Sequence, residues 1–183
     1  MLMTLDAIRD GLKSKHHHPS FDRSNLMLIE PGPAPDAVQR ASATLKANFP
    51  PSFFALVTRF NFDRLIIHKL AFEYGKDLKR FTQTNLGEPY AWWQDDKPEN
   101  RLWVAQTGKR YLTMHTSTGN IHAFDKSRHD DQGPVATDFE RLVRAAGSLE
   151  LQPHTPALVS KIAKDAGADP DGIFWELLAE GSA

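Results

Sequence analysis

Two histidines, His115 and His122, are the residues whose type and spacing come closest to a chemical site. They flank the turn sequence "TSTGN", in which Gly119 favours the positive φ of a tight β turn. We expect antiparallel strands on either side, with Thr116 opposite Ile121 and His115 opposite His122. Two opposed imidazoles can bind a divalent metal when a third ligand comes from elsewhere. Two strand histidines without a metal are the more common outcome of such spacing. We therefore predict no metal ion and keep His115 with His122 as the weaker alternative.

The remaining histidines and carboxylates form no recognised catalytic motif. We interpret residues 16–18 ("HHH") as part of a polar loop and His68 as a hydrogen-bonded strand histidine. Four aspartates do not fit a calcium-binding loop: Asp125, Asp130, Asp131 and Asp138. Walker, GxGxxG, HExxH and GxSxG patterns are also missing from the sequence. We predict that the chain has no catalytic residues, needs no cofactor and is not an enzyme. A small metal-dependent enzyme built on His115 and His122 is the alternative.

An acidic aromatic segment, "EPYAWWQDDKPEN", is the best candidate for contact with a partner. Trp92 and Trp93 are adjacent, so on an extended chain they point to opposite sides and both cannot easily enter one core. Four carboxylates against Lys97 give the segment a local charge of −3. Aromatic anchors framed by acids suit a basic protein surface. The predicted partner-binding residues are Glu88, Tyr90, Trp92, Trp93, Asp95 and Asp96.

Bulk composition narrows the classes of function. The chain has 183 residues, 22 basic and 23 acidic side chains and a net charge of −1. Such a balance gives no overall field to attract nucleic acid or an anionic membrane, so we expect neither as a partner. There are no cysteines, which fits a reducing compartment. Asp6 and Asp10 interrupt the apolar stripe of the N-terminus, unlike a signal peptide, so we expect a cytoplasmic protein.

Helical spacing predicts several amphipathic helices. Leu5, Ile8 and Leu12 share one face of the first, with Thr4 or Asp6 as its cap. A second helix is expected from Asp36, and a short third helix, "SFFALVTRF", is expected to be capped by Ser52. Further helices are expected over "KDLKRFTQTNL", "DFERLVRAAG", "PALVSKIAKDAG" and "IFWELLAEG". For "DFERLVRAAG" we expect Thr137 or Asp138 as the cap and Gly147 as the end.

Alternating residues predict strands, one over "LIIHKLAFEYG" and three within "LWVAQTGKRYLTMHTSTGNIHAFD". The expected buried face of the hairpin consists of Leu112, Met114, Ile121 and Ala123. The opposite face carries Tyr111, Thr113, His115, His122 and Phe124. These elements predict an α+β fold in a single domain, with a twisted antiparallel sheet and helices packed around it. We expect residues 1–33 to be an N-terminal helix and loop extension and residues 34–183 to form the domain.

The order of these phrases resembles the SUKH superfamily, which includes fungal cell-wall assembly regulators and many bacterial immunity proteins. The phrase "APDAVQRASATLKANFPPSFFALVTRFN" is similar to the opening pair of helices in that family. "LIIHKLAFEYG" and "LWVAQTGKRYLTMHTSTGNIHAFD" are similar to its strands, and "VATDFERLVRAAGSLEL" is similar to its closing helix. The resemblance covers about residues 34 to 151.

The resemblance implies an α+β fold and a protein that acts by binding, with no shared catalytic residues. Many bacterial members neutralise a cognate toxin, often a nuclease, by covering its active site. We therefore expect an immunity protein whose partner is a toxin. The alternative is an intracellular adaptor of the same fold with a non-toxin partner. In either case we expect a monomer or a homodimer.

Overall fold

The computed structural model describes residues 1–87, 100–128 and 130–181. These residues form seven α-helices: α1 Leu5–His16, α2 Pro35–Leu45, α3 Pro51–Arg59, α4 Lys79–Leu86, α5 Phe139–Leu151, α6 Pro156–Ala166 and α7 Phe174–Glu180. They also form six strands: β1 Leu65–Ile67, β2 Leu70–Phe72, β3 Arg101–Gln106, β4 Arg110–His115, β5 Ile121–Asp125 and β6 Asp131–Ala136. The predicted α+β, single-domain fold with an antiparallel sheet is confirmed.

The strands follow one another in space in the order in which they occur in the chain, β1 to β6, and all neighbours are antiparallel. A 3₁₀ turn, Ser24–Leu26, packs against the edge strand β1. At the other edge, Asp169 N–H donates to the Pro134 carbonyl over 2.9 Å. Neighbouring segments therefore cover part of both sheet edges, which limits pairing with other chains.

The prediction of one strand over "LIIHKLAFEYG" is wrong, because this run folds into the hairpin β1–β2. His68 and Lys69 form its turn with φ values of 44° and 67°, and Ile67 pairs with Leu70. Two consecutive positive φ angles suit a tight hairpin, but glycine or asparagine is the usual signal for them. Since positions 68 and 69 hold histidine and lysine instead, the turn had no signal in the sequence.

Strand β6 was not predicted either. It contains Gly133 and Pro134, which both argue against a strand in sequence. Both residues are tolerated because β6 lies at the edge of the sheet, where backbone groups on one side have no neighbouring strand to pair with.

The core lies between the sheet and α5. Leu112, Met114, Ile121 and Ala123 are all fully buried, which confirms the predicted inner face. Phe139, the first residue of α5, contacts four aromatic rings of the core: Phe53, Phe62, Phe72 and Tyr74. Because each aromatic side chain buries about 150–250 Å², this cluster ties α5 to α3 and to the β1–β2 hairpin.

Helix α1 packs on α5, and its Ile8 and Leu12 are fully buried. The predicted Thr4 cap is confirmed, since its hydroxyl accepts from Ala7 N–H. These side chains belong to the same apolar core as the rest of the chain. The division of the chain into an N-terminal extension, residues 1–33, and a domain, residues 34–183, stays a prediction.

Two of the predicted helix ends are wrong. Ser52 is inside α3, which begins at Pro51 and has no side-chain cap. Proline has no backbone N–H, so it leaves no unpaired donor at the first helical position. Gly147 is inside α5, which continues to Leu151, and its missing side chain makes room for Ile8. Asp138 caps α5 as predicted by accepting from Arg141 N–H.

Candidate functional site

A row of polar side chains crosses the outer face of the sheet, on the side away from α5. It consists of Arg101 on β3, Thr113 on β4, His122 on β5 and Asp131 on β6. Thr113 pairs directly with His122, and Phe124 pairs with Asp131. Because side chains alternate along a strand, these residues lie on the face opposite Leu112 and Met114. We call Arg101, Thr113, His122 and Asp131 the outer-face row.

His122 and Asp131 form the centre of the outer-face row. The two carboxylate oxygens of Asp131 lie 3.0 and 2.9 Å from His122 Nδ1, which donates its hydrogen. In the neutral ring this leaves Nε2 without a hydrogen, as a hydrogen-bond acceptor. The carboxylate thus fixes both the orientation and the tautomer of the imidazole.

Arg101 connects the row to β4 and β6. Its Nη1 donates to Thr113 Oγ1 over 3.3 Å, and its Nη2 lies 3.7 Å from Asp131 Oδ2. The guanidinium also lies 5.5 Å from the centre of the Phe124 ring, within the range of a cation–π contact. Burial lowers the pKa of Arg101 while Asp131 opposes the change. The guanidinium remains charged at neutral pH because its ordinary pKa is so high.

The pKa of Asp131 reflects a similar competition. Burial acts to raise it, but the hydrogen bonds from His122 and from Gly133 N–H, together with the charge of Arg101, outweigh burial. The pKa therefore lies below its ordinary value, and the carboxylate is ionised at neutral pH.

The prediction that His115 lies directly opposite His122 is wrong. Ile121 pairs with Met114, and His115 is linked to Asn120 through its N–H. Gly119 N–H donates to the His115 carbonyl with the expected positive φ, which closes a loop of four residues, 116–119. The register therefore differs from the expected one, although His115 and His122 keep the same face.

His115 also has a different neighbour from the one expected, because its Nδ1 lies 3.1 Å from Ser117 Oγ. In the described ranges 1–87, 100–128 and 130–181, no three or more histidine or acidic side chains are grouped closely enough to hold a metal ion. His122 instead contacts Asp131, which lies on β6, the strand that was not predicted from the sequence.

The predicted partner-binding residues, Glu88, Tyr90, Trp92, Trp93, Asp95 and Asp96, lie outside the described residues. The residues on both sides of their segment are anchored to β3 or beside it. Asn85 accepts from Trp103 N–H and donates to the Trp103 carbonyl over 2.8 and 3.1 Å. The Asn100 carbonyl accepts from Thr116 N–H over 2.8 Å. The described residues on both sides of this segment therefore lie beside β3, the strand that carries Arg101.

Comparison with protein-family models, with curated proteins and with solved structures found no match to this chain. In the part of the chain that the structure describes, every helix is too short or too polar to cross a membrane.

Sequence reasoning identified Thr113 and His122 on this face but missed Arg101 and Asp131. A signal was present for Arg101, because it directly precedes the predicted strand that begins at Leu102. Asp131 had no comparable signal, since it begins a strand that contains glycine and proline.

Proposed function

We propose that this chain is a binding protein of the immunity type, which neutralises a bacterial toxin by covering the active site of that toxin. The outer-face row carries the proposal. Strands β3 to β6 hold its side chains, and hydrogen bonds cross-link them. A partner therefore meets donors and acceptors whose positions are already set, which lowers the entropic cost of binding.

The chemistry of the surrounding surface also supports binding. Three side chains of the row remain partly accessible, 14% for Arg101, 20% for His122 and 40% for Asp131, whereas Thr113 is fully buried and supports Arg101 from below. Lys126 Nζ lies 4.6 Å from the centre of the Tyr111 ring and extends the mixed aromatic and charged surface along the sheet. Arginine and aromatic residues are enriched among the side chains that dominate binding energy at protein interfaces.

The segment 88–99 supplies the charge that the proposal needs. Its sequence carries a charge of −3 and three large aromatic residues: Tyr90, Trp92 and Trp93. A toxin that acts on nucleic acid presents basic residues to phosphate groups. Acidic side chains directed at those residues would compete with the substrate and favour fast association. The resemblance to the SUKH superfamily supports the same type of partner.

Co-expression tests the proposal. Each secreted protein encoded beside this gene is expressed in a sensitive host, with and without this chain, and growth and complex formation are measured. We expect protection from one toxin and a stable complex with it. Trp92→Ala with Trp93→Ala and, separately, Arg101→Ala should weaken the complex at least about tenfold, the loss expected when an interface anchor is removed. Arg40→Ala, at an exposed position on α2, is the matched control.

Two results would contradict the proposal. The first is that no neighbouring secreted protein forms a complex with the chain. The second is a complex that forms without protecting growth, which favours the adaptor alternative.

A further inference from the structure

A second polar cluster lies at the carboxyl ends of α1, α5 and α7, beside the turn between β1 and β2. Its centre is Glu150, in the last turn of α5. Glu150 Oε1 accepts from Lys15 Nζ over 2.7 Å and lies 3.3 Å from His16 Nε2. Glu150 Oε2 lies 3.3 Å from His68 Nδ1. The His154 ring packs edge-on against His68, with 4.7 Å between ring centres. We call these five residues the Glu150 cluster.

The cluster binds the carboxyl ends of α5 and α7, where backbone carbonyls lack partners within the helix. Lys15 Nζ donates to the Glu150 carbonyl over 2.7 Å, and His154 Nε2 lies 2.7 Å from the Leu149 carbonyl. His68 Nε2 lies 3.2 Å from the Leu178 carbonyl of α7. Since Lys15 and His16 form the end of α1, the cluster connects α1, α5 and α7.

His68 is the group in this cluster whose hydrogen bonds depend on protonation. It is buried, and both ring nitrogens face acceptors, the Leu178 carbonyl and the Glu150 carboxylate. A neutral imidazole has one N–H and can donate to only one of them. A second proton would allow both bonds but would add a buried positive charge.

The groups around His68 are mostly basic. Lys15 and His16 approach from α1, Lys69 from the same turn and His154 from the loop after α5. Glu150 is the carboxylate that faces the ring, and α7 faces it with the Leu178 carbonyl. The charged residues of α7 are Glu176 and Glu180.

The balance of these effects sets the charge at neutral pH. Burial lowers the pKa of His68, His154 and Lys69 add to this, and Glu150 opposes it. The pKa of Glu150 is also lowered, since the contacts with Lys15 and His68 outweigh burial, so its carboxylate persists into mild acid. A proton on His68 would place a positive charge in a buried site beside Lys69 and the His154 ring, so the folded protein takes it up less readily than the unfolded chain does. Stability is therefore lost as the pH falls below the ordinary histidine pKa of about 6.5.

We propose that the Glu150 cluster is a pH-sensitive latch that holds α1 and α7 on α5 at neutral pH and loosens both helices in mild acid. The proposal is independent of the partner and of the outer-face row.

Amide hydrogen exchange at about pH 7.5 and about pH 5.5, corrected for the intrinsic rate, tests it. This range spans the ordinary histidine pKa of about 6.5. We expect protection of α1 and α7 to fall about tenfold or more at the lower pH, while the centre of α5 changes less. His68→Gln and, separately, His154→Gln should reduce this fall. His18→Gln, at an exposed position outside the cluster, should not.

Three results would overturn the proposal. Protection of α1 and α7 that is equal or higher at the lower pH would do so. An equal fall in the wild type and in both cluster variants would also contradict it. If His68→Gln does not fold, His154→Gln and an NMR titration of His68 in the wild type decide the matter. A His68 pKa at or above about 6.5, the ordinary value, would then overturn the latch.

Discussion

Gly147 in α5 lies directly against Ile8 in α1, and the two helices leave no room for a side chain at position 147. A Cβ atom on Gly147 would lie 2.5 Å from Ile8 Cγ2 and 2.8 Å from Ile8 Cδ1. The reverse contact has the same form, since a Cβ atom on Gly11 in α1 would lie 2.6 Å from Leu151 Cδ1. One glycine from each helix thus allows the close approach that buries Ile8 and Leu12.

Gly147→Ala should destabilise the protein. Alanine favours a helix over glycine by about 1 kcal/mol, but overpacking a buried contact costs about 1–3 kcal/mol. Ile8 is fully buried and branched, so it cannot move aside easily. We expect a net loss in the free energy of unfolding, measured by urea denaturation. In an Ile8→Ala background the same substitution should cost less, and equal costs in both backgrounds would contradict the contact.

Asn85→Ala should destabilise the attachment of α4 to β3. Asn85 is buried and satisfies both the N–H and the carbonyl of Trp103. A buried polar group left without a partner costs about 1–3 kcal/mol, and here two groups lose theirs. We expect a loss of this size in the free energy of unfolding. Lys79→Ala, at an exposed position in the same helix, is the control, and similar losses for both variants would refute the role of Asn85.

The Asp125 carboxyl should titrate far below an ordinary aspartate. Ser127 Oγ, Ser127 N–H and Arg128 N–H all donate to its Oδ1, and they lower the pKa of Asp125 to about 2. Carbon-detected NMR titration measures this pKa directly. Ser127→Ala removes the hydroxyl, the largest cause, and should raise the pKa of Asp125, whereas Ser117→Ala should leave it unchanged. An ordinary value in the wild type would disprove the turn geometry.

Asp131 should make stability depend on pH in the acid range. Its pKa is lower in the folded protein than the ordinary value of about 3.9 in the unfolded chain. The unfolded state therefore binds the proton more readily, so the stabilisation is present above about pH 4 and is lost as the pH falls through the folded pKa. We expect Asp131→Asn to be less stable than the wild type at neutral pH, with the difference shrinking in acid. Asp130→Asn, at an exposed position, is the control, and its stability relative to the wild type should not change in this way with pH. If the stability difference between Asp131→Asn and the wild type stays constant in acid, the His122 contact is contradicted.

Much of the fold could be predicted from periodicity, because burial repeats at the spacing of the element. The helix of Ile8 and Leu12 and the Asp138 cap were predicted correctly. The two faces of β4 and β5 were also correct although the register was not. A shift by an even number of residues leaves every side chain on its face, so alternation determines faces more firmly than partners.

The candidate site was only partly predictable. The sequence placed His122 on the outer face, but its partner Asp131 depends on β6, an edge strand with unfavourable composition that forms only beside β5. The β1–β2 turn is a similar case. His68 and Lys69 have no strong local preference for positive φ, and the hairpin forms because it buries Leu65, Ile67, Leu70 and Phe72 in one core.

The sequence by itself determined most of the helices, the strands β3 to β5 with their apolar faces, and that the domain is α+β, since these follow from local spacing. Only the tertiary structure decided which polar and charged side chains meet: Asp131 with His122, Arg101 with Thr113, and Glu150 with His68. The last of these pairs joins residues 82 positions apart in the chain. Such pairs have no local pattern, because their geometry is set by the packing of strands and helices that are distant in sequence.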